Sequence, residues 1–133
     1  MTSRDQACAR FALDVVERHR GQDGADRFRK AVESLPGLLR TCGLGQTAAY
    51  LKGKGDPGGG ERALYGILQN WLCENSPPIL GAGDLMDVVM RSSRDAYMKA
   101  TESAWQLCEW LKPLAVAYLP ESTGGPADAP RRP

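Results

Sequence analysis

Apolar residues along this chain recur every three or four positions, and no stretch alternates with period two. That spacing predicts helices and no strand. The first helix runs from about Ser3 to His19, where Cys8, Phe11, Ala12, Val15, Val16 and His19 share one stripe. Gly21 follows as a stop signal. Asp23 opens a second helix through Phe28, Ala31, Val32 and Leu35, with Arg27, Arg29 and Lys30 toward solvent. Pro36 either kinks that helix or begins a new one at its first turn. Leu38 and Leu39 carry a short helix to Cys42, which Gly43 ends. Gln46 to Lys52 forms another, with Ala48 or Ala49 and Leu51 inward.

Residues 53–61, GKGDPGGGE, read as a flexible loop. The next helix, about Glu61 to Asn75, has the cleanest stripe: Leu64, Ile67, Leu68, Trp71 and Leu72. After SPPILGAGD, Asp84 or Gly83 starts a helix bearing Leu85, Met86, Val88, Val89 and Met90. Ser92 and Ser93 mark a break or cap. A long helix then runs to about Leu119 with Tyr97, Thr101, Ala104, Cys108, Leu111 and Ala115 inside. Met98, Glu102 and Trp105 lie on an adjoining face, and Pro113 is expected to kink its end. The expected architecture is all-α, a compact bundle of five to seven helices with short connections. Residues 1–119 form a single helical domain and residues 120–133 a disordered C-terminal tail.

Composition narrows the class. The chain has 133 residues, 42% hydrophobic and 25% charged, which suits one globular unit. No apolar run approaches the roughly 18 residues that span a bilayer, and the start MTSRDQACARFALD lacks the apolar core of a signal peptide. A cytoplasmic protein is expected. The four cysteines, Cys8, Cys42, Cys73 and Cys108, stand singly and are expected as buried free thiols. With His19 the sole histidine, zinc-site spacing is absent.

The net charge of +1 conceals an asymmetry. Residues 1–54 carry ten Lys/Arg against six Asp/Glu, and residues 55–133 carry seven against ten, giving +4 and −3. One basic and one acidic surface follow. A basic face can track a phosphate backbone or dock the acidic face of a second copy.

Candidate chemistry is thin. Gly43-Leu44-Gly45 with Ala48 has the spacing of a dinucleotide-binding loop, but neither the preceding strand nor an acidic strand end about 20 residues later is present. Gly43 reads as a left-handed helix cap, with Gly45 permitting close helix packing. Lys54 follows a glycine, yet Gly55 stands where a phosphate-binding loop needs Ser or Thr. His19 reads as a half-buried residue near a helix end, and Glu102 and Glu109 as a solvated face. No catalytic residue, cofactor or metal site is expected.

Two stretches carry a family resemblance: LPGLLRTCGLGQTAAYLKGKG at 35–55 and AYMKATESAWQLCEWLKPLA at 96–115, supported by ALYGILQNWLCE at 63–74. The ordered elements Gly43-Leu44-Gly45-Gln46, Trp71-Leu72, Tyr97-Ala100-Thr101 and Trp110-Leu111-Lys112 together resemble the small α-helical subunit of the Cmr complex, the type III-B CRISPR–Cas effector. The departures are the extended glycine-rich loop, the apolar SPPILGAG connection and the proline-rich tail. Lys112-Pro113-Leu114 also stands where family members often carry Lys-Arg-Phe.

The resemblance implies a non-catalytic subunit of an antiviral ribonucleoprotein. Copies stack into a minor filament beside the larger backbone subunits that hold the crRNA, and target RNA pairs with the guide in the groove between. Cleavage belongs to the larger subunit. The expected partners are those larger Cmr subunits, further copies of the chain, and the phosphates of crRNA and target RNA. No membrane and no small-molecule ligand are expected. The RNA-contact candidates are Arg27, Arg29, Lys30, Arg40, Lys52 and Lys54 in the basic half, and Arg91, Arg94 and Lys99 beside the last helix. Arg40, Lys52 and Lys54 lead, since a bend at Gly43 places them along one edge. Trp71 and Trp110 read as core. Trp105 is the candidate anchor for an interface between neighbouring subunits, with a second buried face as the alternative. Two other classes stand beside this one. One is a helical protein–protein adaptor without RNA contact, and the other is a small enzyme or ligand-binding bundle, which requires a concave pocket.

Overall fold

The computed structural model describes residues 3–54, 59–74 and 79–121. Five α-helices account for most of them, and no strand occurs among the described residues. The helices are α1 (Ser3–His19), α2 (Ala25–Gly53), α3 (Gly60–Gln69), α4 (Leu85–Arg91) and α5 (Arg94–Tyr118). The expected tail falls outside the described residues beyond Glu121.

On α1, Cys8, Ala12, Val15 and Val16 are buried as expected, and Phe11 and His19 are half-buried. On α5, Ala104, Cys108, Leu111 and Ala115 are buried as expected, but Tyr97 and Thr101 are only half-buried, and the buried face also takes in Ala100, Ser103 and Leu107. The two helices lie side by side and run the same way. Trp110 Nε1 and Gln106 Nε2 donate to Asp5 Oδ1 near the start of α1 (3.2 and 3.4 Å), and Arg20 lies over the Tyr118 ring beyond its end. Trp110 is therefore half-buried with its indole N–H on a carboxylate, rather than full core. Ser93 caps α5 by accepting from the Ala96 amide at 3.1 Å, and the helix runs on through Pro113 to Tyr118.

α2 departs from expectation in three ways. It begins at Ala25 after Gly24, whose φ of 86° turns the chain, so Asp23 does not cap it. It passes through Pro36 without leaving helical dihedrals. The interruption comes at Gly43 alone, where a break was also expected, with φ 81° and ψ 170°. That conformation is open to glycine alone and is not the left-handed cap expected, because the helix resumes at the next residue. The break frees the Gly45 amide, which donates to Tyr97 Oη at 2.9 Å. A Cβ at Gly45 would sit 3.5 Å from the same hydroxyl oxygen, an ordinary contact distance, so packing there does not require glycine. Beyond the bend Leu44, Thr47, Ala48 and Leu51 point inward.

α3 packs along α2, and its first residue is the most tightly enclosed of the described glycines. A Cβ on Gly60 would meet the Arg27 carbonyl oxygen at 2.4 Å. Leu64, Ile67, Leu68, Trp71 and Leu72 are buried as their spacing predicts. The helix does not, however, end as an α-helix: Asn70–Glu74 widens into a π-turn. The wider turn lets three consecutive residues, Trp71, Leu72 and Cys73, all bury. The Leu72 carbonyl accepts the Ile79 and Leu80 amides at 3.0 and 2.9 Å, and Trp71 Nε1 donates to Ser103 Oγ at 2.8 Å. Side chains from every helix join one core cluster.

Candidate functional site

The nine candidate cations divide by what already holds them. Arg29, expected toward solvent, is corrected: its side chain is 12% exposed and lies over the C-terminal end of α5. Its Nη1 donates to the Leu119 carbonyl at 3.0 Å, its Nε to Glu33 at 3.4 Å, and Glu121 lies at 3.9 Å. The periodic pattern puts Arg29 off the apolar stripe, but a cation off the stripe can still meet a helix end rich in unpaired carbonyls.

Lys52 donates to Asp84 Oδ2 at 3.1 Å, and Tyr65 Oη donates to the same oxygen at 3.0 Å. The Lys52 hydrogen bond holds the Asp84 carboxyl below its usual range, and the Asp84 carboxylate raises Lys52. Burial foremost raises the Tyr65 phenol. Tyr65 Oη also accepts the Met86 amide, and Gln69 Oε1 accepts that of Leu85, so this group seats the start of α4. Lys99 pairs with Asp95 at 3.3 Å, one turn away.

Arg40 lies over the Trp105 ring, 5.7 Å from its centroid, and Lys54 lies 6.0 Å from that of Tyr50. The structure thus joins two residues singled out separately, Arg40 and the half-buried Trp105, into one α2–α5 contact. The bend at Gly43 does not give Arg40, Lys52 and Lys54 a common partner: each rests on a different aromatic ring. Arg27, Lys30, Arg91 and Arg94 are exposed and enter no ion pair among the described residues.

His19 matches its expected half-buried setting. Its Nδ1 lies 2.9 Å from the Val15 carbonyl oxygen, and its ring stacks on Phe28 with centroids 3.8 Å apart. Cys42 is exposed, which corrects the expectation of four buried thiols; Cys8, Cys73 and Cys108 are buried. Burial pushes both the Cys8 and the Cys108 thiol up to about 12.

Sequence reasoning missed a groove of about 580 Å³ between the end of α1, the start of α2 and α3. Phe11, Val15, Phe28 and Ile67 give it an apolar floor, and Arg18 and Asp23 stand at its edge. Gly66 leaves one wall bare, since a Cβ there would meet nothing within 4 Å. The lining residues come from three helices far apart in the chain, so no local signal marks it. No helix among the described residues is long and apolar enough to cross a membrane.

A kinked all-helical bundle, with cations on several faces and its two resemblance-bearing stretches joined at Gly45 and Tyr97, matches a known family. The model of the family described as "CRISPR-associated protein (Cas_Cmr5)" covers residues 4–118, and the chain belongs to that family. Among known proteins, the CRISPR system Cmr subunit Cmr5 of Thermus thermophilus is 27% identical over 125 residues. That match covers 91% of this chain and 100% of the Thermus protein.

Proposed function

We propose that this chain is a non-catalytic structural subunit of a type III-B CRISPR–Cas ribonucleoprotein effector, acting in antiviral defence in the cytoplasm. In this reading it binds the larger Cmr backbone subunits and further copies of itself, stacking into a minor filament. That filament helps line the groove in which crRNA pairs with target RNA. The observation that carries the reading is the family match across residues 4–118.

Its part in the chemistry is electrostatic and steric. Exposed cations neutralise phosphates without reading bases, because base pairing supplies the sequence recognition. Arg27 and Lys30, exposed near the start of α2 and in no ion pair among the described residues, lead the basic half. The alternative is an adaptor with no RNA contact. It is favoured by the engagement of Arg29, Lys52 and Lys99 in ion pairs and of Arg40 on Trp105.

Recovery of the tagged chain from its host, with the co-eluting RNA sequenced, tests the role itself. Guide RNAs and larger subunits are expected in the eluate; neither appearing at low salt would refute it. Replacing Arg27 and Lys30 with alanine then separates the two readings. Direct RNA contact predicts a salt dependence shallower by about one unit of slope per lost phosphate contact, with sequence preference unchanged. An adaptor predicts no change.

A further inference from the structure

We infer that the α1–α2–α3 groove takes an unpaired RNA base, inserted from the strand whose phosphates lie along the start of α2. The inference rests on the direct RNA contact proposed above and adds to it a contact with a base.

The groove offers flat surfaces that are held in place. Phe11 and His19 are half-buried in it, and each is backed by a buried ring. Trp71 lies behind Phe11 with centroids 4.9 Å apart, and Phe28 behind His19 at 3.8 Å. The Val15 carbonyl oxygen, 2.9 Å from Nδ1, further fixes the imidazole. Rings braced in this way lose little freedom when a base stacks on them. Elsewhere the wall is backbone, at Gly24, Gly59, Gly60 and Gly66. A Cβ on Gly66 would meet nothing within 4 Å, so a planar ring has room there. The volume of about 580 Å³ lies in the range of sites that enclose small molecules.

Polar groups stand around the same floor. Gln22 and Asn70 bring side-chain amides with no hydrogen-bond partner among the described residues. An amide donates and accepts side by side, as the edge of a base does. Arg18 and Arg62 also line the groove, against one carboxylate, Asp23. An apolar side chain from a protein would cover the rings and leave the amides desolvated without partners. A base presents an apolar face and a polar edge at once, and carries a phosphate on either side.

The cations of α2 stand beside this opening. Gly24 and Phe28 line the groove, and Arg27 shares their turn of the helix, with Lys30 three residues on. Gly60 lies so close to this turn that a Cβ on it would collide with the Arg27 carbonyl. Arg18, Arg27 and Lys30 are exposed, and none enters an ion pair among the described residues. A strand whose phosphates sit at Arg27 and Lys30 therefore passes beside the groove. Stacking accepts every base, so insertion leaves sequence recognition to pairing elsewhere on the strand.

The test compares two strands on the full chain, read by fluorescence anisotropy over a range of salt. One is single-stranded oligouridylate, and the other an abasic ribose-phosphate strand of the same length, which keeps every phosphate. Oligouridylate is expected to bind roughly tenfold tighter, the share of one stacked base, with the same salt slope for both. Two variants locate the effect, each first checked by thermal melting. Gly66→Leu fills the groove from a position with open space around it, and Gln22→Ala with Asn70→Ala removes the amides. Each is expected to shrink the difference between strands and leave the slope unchanged, whereas Arg27→Ala with Lys30→Ala makes the slope shallower. In the recovered particle, 4-thiouridine in either the guide or added target RNA is expected to cross-link to the peptide bearing Phe11 and His19, which names the source. Equal affinity for the two strands overturns the inference and leaves phosphate contact intact. A difference that survives both variants also overturns it, because the base is then held elsewhere. So does displacement from the groove by a peptide of glutamate and phenylalanine that Gly66→Leu excludes while oligouridylate binding is indifferent to that change. Binding of neither strand at low salt removes direct RNA contact itself.

Discussion

Along the seam between α1 and α5, Cys8, Ala12, Ala104, Cys108 and Leu111 are buried, and the polar links lie at its ends. At the corner where α2 bends against α4 and α5, the pattern reverses. A glycine breaks the helix, a tyrosine hydroxyl takes the freed amide, and Thr47 Oγ1 is buried with no hydrogen-bond partner among the described residues. A helical threonine would give its hydroxyl proton to the carbonyl four residues back, here Gly43, and the ψ of 170° swings that carbonyl away. The seam is held by apolar burial that tolerates no charge. The corner is held by one particular hydrogen bond around a conformation that only glycine adopts.

Raising the pH attacks the seam hardest. The Cys8 and Cys108 thiols are held protonated by burial, at about 12 against an ordinary value of 9.0. Between those values the unfolded chain releases thiol protons that the native chain keeps. Stability is therefore intact below about pH 9 and falls above it, on the order of 1 kcal/mol per pH unit per thiol. The urea midpoint at pH 10.5 should lie well below that at pH 8. Replacing both cysteines with alanine should reduce the difference, leaving the smaller share of Cys73 and Tyr65, which burial also raises, and an undiminished slope would locate the cause elsewhere.

The corner yields to smaller changes. Gly43→Ala forces a Cβ into the glycine-only region and should destabilise by about 2 kcal/mol in chemical denaturation, with the seam unaffected. Tyr97→Phe removes the acceptor for the Gly45 amide and should cost about 1 kcal/mol. Hydrogen exchange at Gly45 should rise while amides near Cys8 stay protected. Thr47→Val has the opposite sign. Exchanging an unpartnered buried hydroxyl for a methyl of similar shape should raise stability, by up to about 1 kcal/mol. If it destabilises instead, the hydroxyl has a partner after all.

The same contrast explains what could be read beforehand. The stripes of α1, α3 and α5 were legible because dry packing repeats with the helical period, and Cys8 through Val16 or Leu64 through Leu72 carry that period openly. The Tyr97–Gly45 bond joins residues 52 apart and leaves no periodic trace. Of the two interruptions expected in α2, at Pro36 and at Gly43, only the one at Gly43 occurs. Pro36 passes within the helix without leaving helical dihedrals, whereas Gly43 adopts a conformation its neighbours then stabilise. Among the candidate cations, composition located a basic half but not the partners. Arg29 and Lys52 are occupied by Leu119 and Asp84, which are 90 and 32 residues away in the chain.

The stacked rings of His19 and Phe28, 3.8 Å apart and within 4° of parallel, carry a practical consequence. Each ring lies in the shielding cone of the other, and both line the α1–α2–α3 groove. The chain has a single histidine, so its imidazole protons form one isolated, upfield-displaced pair of signals in a proton spectrum. Those signals return to ordinary positions on unfolding and shift when the groove is filled. The molecule thus carries its own label-free reporter at that groove.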